Sequence, residues 1–224
     1  MLHDAVLLGS RIFHEDEPLR DYYEAYFRDE GFSLVDEPER LDGARAARLI
    51  QFVNQWRTHY QATTPQLRDA LKAVLPELCM LRDEAFLDVD LARPCNGPWT
   101  VGDVIERVFE TVASCGRRYE STGASKILHM VHPRLFVMWD SAIAAGYATG
   151  RSGRDYAHDF LPLVQLVARR AVDEYERSRS ALAGDAVSAL CACGHTMARV
   201  IDEYNYAEFT LSRREVWVTE LLNG

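Results

Sequence analysis

Apolar residues recur at three- and four-residue spacing along most of this chain, the signature of helices that each bury one face. Leu19, Tyr22, Tyr23, Tyr26 and Phe27 fall at such positions, which predicts a helix over 15–30 closed by Gly31. Asp42 reads as the N-cap of a second helix to about 60, with Leu49, Phe52, Val53 and Trp56 as its apolar stripe. Thr64-Pro65 opens a third to about 81, in which Pro76 kinks or breaks the chain. The LARPCNGP stretch at 91–98 is a loop by composition. Thr100 and Asp103 then form a capping box ahead of Val104, Ile105, Val108, Phe109 and Val112, and Cys115-Gly116 ends that helix. Further helices are predicted at about 124–131, 133–138, 141–148, 155–179, 185–203 and 212–222, the second a single turn started by Pro133. Period-two alternation is confined to 32–36 and 215–218. The expectation is an all-α fold of nine or ten helices in one domain over 1–224, without internal repeats.

Composition narrows the class. Apolar residues make up 48% and charged residues 26% of the 224 positions, ordinary values for a chain that buries a core without staples. No window approaches 18 uninterrupted apolar residues, and the first twenty residues have no basic n-region, so neither a membrane span nor a secretory signal is expected. Five scattered cysteines fit reduced thiols in a cytoplasm. Cys191, Cys193 and His195 have no second ligand pair along the chain, and Cys79, Cys95 and Cys115 are isolated, so no metal is expected. Walker A, Gly-x-Gly-x-x-Gly, His-Glu-x-x-His and Gly-x-Ser-x-Gly are all absent, which leaves nucleotide-cofactor, metalloprotease and esterase readings without support.

The net charge of −9 argues at first against nucleic acid, but the charge is uneven. Residues 1–40 are strongly acidic at −7, whereas 111–154 carry +4 through Arg117, Arg118, Lys126, Arg134, Arg151 and Arg154. Within that basic segment, Thr122-Gly123-Ala124-Ser125 supplies small residues where backbone amides approach a phosphate closely. Lys126, one of only two lysines, follows on an apolar helix. Asp140 stands behind Phe136, Val137, Met138 and Trp139, which predicts a partly desolvated carboxylate suited to acid–base work. Bland readings stand beside these: Asp140 as a simple helix N-cap, Lys126 as a surface lysine, Gly123 as a turn residue.

The 119–150 stretch resembles the helix-hairpin-helix DNA glycosylases, in particular the 8-oxoguanine glycosylase-like branch. The resemblance places a hairpin-like element at about 117–140, with Thr122, Gly123, Ala124 and Ser125 as the phosphate-docking turn, helped by Arg134, Arg151 and Arg154. It implies Lys126 as the sugar-attacking lysine and Asp140 as the carboxylate assisting glycosidic cleavage, without a cofactor. The resemblance covers about 30 residues. The turn has one glycine where the family commonly has two, the lysine-to-aspartate gap is shorter, and the iron–sulfur loop of the endonuclease III branch is missing.

A base excised this way must leave the stack and enter a pocket. Asn54, Trp56, Arg57 and Tyr60, with Trp139, are the candidate pocket residues, and Tyr22, Tyr23 and Tyr26 form a second aromatic group that also reads as packing. The expected activity is therefore base excision from duplex DNA by a monomer, leaving an abasic site. The divergent turn extends the expectation to modified bases, such as the glucosylated hydroxymethylcytosine of some phage genomes, which would make this a defence enzyme. The rival expectation is a non-catalytic helical module that binds DNA or protein.

Overall fold

The structure, a computed structural model, describes residues 1–16, 23–26, 34–56, 58–178, 186–191 and 195–211. It is all-α apart from a two-stranded hairpin, Pro94–Asn96 (β1) with Trp99–Thr100 (β2), whose turn uses Gly97 at φ +60. The helices are Leu2–Asp16 (α1), Gly43–Gln55 (α2), Thr64–Ala73 (α3), Leu75–Met80 (α4), Val101–Ala113 (α5), Ser121–Val131 (α6), Ser141–Gly146 (α7), Leu161–Ser178 (α8), Ala186–Leu190 (α9) and Met197–Asn205 (α10). π-Helical turns at Asp155–Phe160 and Tyr206–Thr210 lead into α8 and out of α10. Among the described residues no helix is long and apolar enough to cross a membrane.

Local signals act where the sequence predicts them. Asp42 caps α2 by accepting from the Arg45 amide at 2.8 Å, and Thr100 and Asp103 cap each other across the first turn of α5. The stripe Val104, Ile105, Val108, Phe109 and Val112 is buried. Pro76 breaks the third predicted helix into α3 and α4.

Several readings change, and the predicted 185–203 helix is two, α9 and α10. Helix α1 was not expected, yet Ala5, Val6, Ile12 and Phe13 form its buried face against α8 and α10. Of the 15–30 helix, Tyr23–Tyr26 is helical, whereas 17–22 and 27–33 lie outside the described residues, as do 212–222 and its predicted strand. The described end of the 32–36 strand, 34–36, is a turn. The single turn predicted at 133–138 is present over 133–135, but 136–139 runs on as extended chain through the core.

That extended segment organises the centre of the molecule. Phe136, Val137 and Trp139 are buried with no sheet beside them, so side chains must satisfy their backbone. The His129 ring donates from Nδ1 to Phe136 O (2.7 Å). Tyr156 accepts from Val137 N (3.0 Å) and donates to Val137 O (2.7 Å). Met138 N donates to Asp202 (2.5 Å), while Ser125 Oγ accepts from Trp139 N (3.0 Å) and donates to Trp139 O (2.9 Å). Helix α6 supplies two of these partners because it is buried on nearly every side, with Thr122 as its one half-exposed residue.

Removing the Ser125 hydroxyl orphans a buried donor and a buried acceptor together. Ser125→Ala is expected to cost about 2–4 kcal/mol in urea unfolding.

His132, the C-cap of α6, is buried and donates from Nε2 to Leu81 O (2.8 Å). Burial pulls its pKa down from 6.5 to about 4. Below pH 6.5 the unfolded chain takes up this proton and the folded chain does not, so its contribution falls as pH falls. The stability advantage of wild type over His132→Gln should narrow by about 3 kcal/mol between pH 6.5 and 4, measured by denaturation across pH.

Candidate functional site

The extended segment delivers Asp140 to the head of α7, where its Oδ1 accepts from the amides of Ala142 (2.8 Å) and Ile143 (2.9 Å). Its Oδ2 accepts from the Thr210 hydroxyl at 2.9 Å. A carboxylate offers about four lone-pair sites, so three bonds fix its orientation and leave one for an outside group. Asp140 is thus an N-cap, as the bland reading has it, and it also opens onto a cleft of about 600 Å³.

Five separate stretches of chain line that cleft. Thr122, Gly123 and Lys126 come from α6, and Tyr119 and Glu120 from the connection before it. Asp140, Ser141 and Ala142 come from the start of α7, and Arg151 from the loop beyond it. Trp56 and Thr58 follow α2, and Tyr206 and Thr210 follow α10. The Lys126 side chain is 7% exposed and sets Nζ 4.8 Å over the Trp56 ring, a cation–π contact. Arg151 donates from Nη2 to Ser121 Oγ (3.1 Å) and Thr122 Oγ1 (3.3 Å), which holds a cation against the positive end of α6. Glu120, the N-cap of that helix, makes no side-chain capping bond, and burial raises its pKa.

The cleft therefore has a positive end at Arg151 and the α6 terminus, an ammonium on an aromatic face, and a fixed carboxylate. A small crevice runs behind it from Lys126 and Asp140 to Asp202, along Phe13, Met138 and Ile143.

The structure brings together Asp140, Lys126, Trp56, Thr122, Gly123 and Arg151 among the residues singled out from sequence. The others lie elsewhere for identifiable reasons. The 122–125 stretch is the first turn of α6 and not a hairpin loop; the connection between helices is 114–120. Ala124 and Ser125 are fully buried, the Ala124 amide is taken up by Glu120 O (3.0 Å), and the Ser125 hydroxyl is occupied with Trp139. Tyr60 is buried and donates to Val112 O (2.7 Å), and Asn54 holds the Tyr60 backbone by accepting from its amide (2.7 Å). Trp139 is a core residue stacked on Phe160 and reaches the crevice but not the cleft. Arg134 donates to Arg82 O (2.8 Å) and faces Asp36, and Arg154 lies near Asp103 and Asp155, both away from the cleft lining. Arg57 lies outside the described residues. Tyr23 packs inside the core, donating to His129 Nε2 (2.9 Å).

Tyr206 and Thr210 are the functional candidates that the sequence reading missed. Their one signal is the apolar spacing that continues from α10, which says nothing of a cleft seventy residues upstream. No family model, curated protein or solved structure matches this chain.

Gly123 has a structural reason to be glycine. A Cβ there would lie 2.2 Å from Cδ2 of the Tyr60 ring. An unhindered Gly→Ala change inside a helix gains about 1 kcal/mol, whereas overpacking costs about 1–3 kcal/mol or more. Gly123→Ala is expected to destabilise by at least about 2 kcal/mol in urea unfolding. A stabilised variant would mean that Tyr60 does not crowd α6.

Proposed function

We propose that this protein is a DNA N-glycosylase acting on a nucleotide turned out of the duplex into the cleft. The observation that carries the reading is that Asp140 and Lys126, fourteen residues apart, line one cleft with an aromatic wall. Cleaving the C1′–N bond builds oxocarbenium character on the sugar, which an oriented carboxylate stabilises. Water then forms the C1′–O bond as the C1′–N bond breaks, its proton passes to Asp140 or to solvent, and a proton from solvent completes the freed nitrogen of the departing base. Trp56 lines the part of the cleft that would take the extruded base, and Arg151 at the α6 terminus offers a cation for the flanking phosphate. Lys126 either holds a phosphate or attacks C1′ as an amine, the two roles separated by borohydride trapping.

The cleft, at about 600 Å³, has room for a nucleotide whose base carries added groups. Glucosylated hydroxymethylcytosine of phage DNA is one such base, and cutting it would serve defence.

Duplexes carrying uracil, 8-oxoguanine, hydroxymethylcytosine or its glucosylated form test the reading, with abasic sites detected by alkali and an aldehyde-reactive probe. Asn caps a helix as well as Asp does, so Asp140→Asn removes the charge while keeping the fold. Excision in that variant is expected to fall about 10²–10³-fold or more, with DNA binding retained. A blank panel with salt-dependent DNA binding intact would instead make this a non-catalytic DNA-binding module.

A further inference from the structure

Away from the cleft, where α1 packs along α10, three potential ligands converge. His14 stands in the last turn of α1, Glu203 in α10, and His195 just ahead of α10. His14 Nε2 and His195 Nδ1 each lie 3.3 Å from the same oxygen, Oε1 of Glu203. All three donor atoms fall within 4.8 Å of one another. Bonds of about 2.0–2.1 Å in a tetrahedron put neighbouring ligand atoms about 3.3 Å apart, the distance of each histidine nitrogen from Glu203 Oε1.

The surroundings are those of a ligand set. His195 Nδ1 and Glu203 Oε1 are buried, and for all their proximity neither has hydrogen-bond geometry with a described residue. The other nitrogen of His195 lies 3.1 Å from Glu24 Oε1, the carboxylate–histidine pairing that fixes a ligating imidazole with Nδ1 inward. The second Glu203 oxygen accepts from Ser10 Oγ at 2.5 Å. The two imidazoles stack, 5.2 Å between centroids.

Arg199 is the feature that opposes a cation, with Nε 3.1 Å from Glu203 Oε1. Its guanidinium sits over the rings of Phe13 and Tyr23, at 4.5 and 3.8 Å, and its charge is shared between Asp202 and Glu203. Glu203 and, across His195, Glu24 set two carboxylates against this one guanidinium, so a dication is attracted here.

We infer that His14, His195 and Glu203 form a zinc site that clips α1 to α10, with Glu24 and Ser10 orienting the ligands and water completing the coordination. The ion is structural, since none of its ligands lines the cleft. Its assignment is independent of the glycosylase reading.

Chelator-treated full-length protein titrated with Zn²⁺ against a chromophoric chelator tests this directly. One tight equivalent per chain is expected, with the melting temperature raised by roughly 5 °C or more. Glu24→Gln should weaken binding about 10–100-fold, and His14→Ala or His195→Ala should remove the tight equivalent. His158→Ala should not change it; with Asp103 and Glu106, His158 forms a second, more exposed group of potential ligands. Failure of the wild-type protein to take up zinc would overturn the assignment. So would uptake that survives loss of His14 and His195, or uptake that disappears with His158.

Discussion

Four buried side chains hold an extended piece of backbone where no strand is available, and the candidate site depends on that arrangement. Residues 136–139 cross the core with their polar groups bonded to His129, Tyr156, Asp202 and Ser125. An unpaired buried amide or carbonyl costs about 1–3 kcal/mol, so these partners act as a template for the path of the chain. The template ends at Asp140, which starts the next helix with its carboxylate already fixed by two amides and a hydroxyl. Precision at the cleft is thus supplied by the core beneath it.

Helix α6 carries half of this load, and its composition follows from its position. A helix buried on all sides is ordinarily apolar. This one carries Ser125, Lys126 and His129 because each polar group meets a particular partner, two on the extended segment and one on the Trp56 ring. Burial keeps His129 neutral, its pKa drawn down to about 3, so its ring can donate to Phe136 O and accept from Tyr23 at once. The close approach of Tyr60 at Gly123 seats the first turn of the same helix against the loop that follows α2.

What the sequence discloses tracks how local the physics is. The caps at Asp42 and Thr100 and the stripe of α5 rest on residues within a turn or two of each other, and they are legible. The turn at Pro133 is legible, but 136–138 is misread because an apolar run suits a helix, whereas its real partners stand on α6, α10 and the turn at 155–160. Asp140, Lys126, Trp56 and Arg151 can be picked out by residue type and neighbourhood. Tyr60, Asn54 and Ser125 have the same polar or aromatic character, and only packing reveals that they bond to backbone inside. Helix α1 goes unread for a related reason: its buried face is completed by α8 and α10, far along the chain.

The hydroxyl bound to Asp140 Oδ2 belongs to a residue seventy positions later. During synthesis at about 5–20 residues per second, roughly several seconds separate the appearance of the carboxylate from that of its third donor. Through that interval the cleft lacks the wall made by Tyr206 and Thr210, and the chain holds α6 and α7 without the segment that closes over them. A nascent chain therefore passes through a stage in which the carboxylate has its two local amide donors but not its hydroxyl, and its final geometry is set only when the turn after α10 folds back.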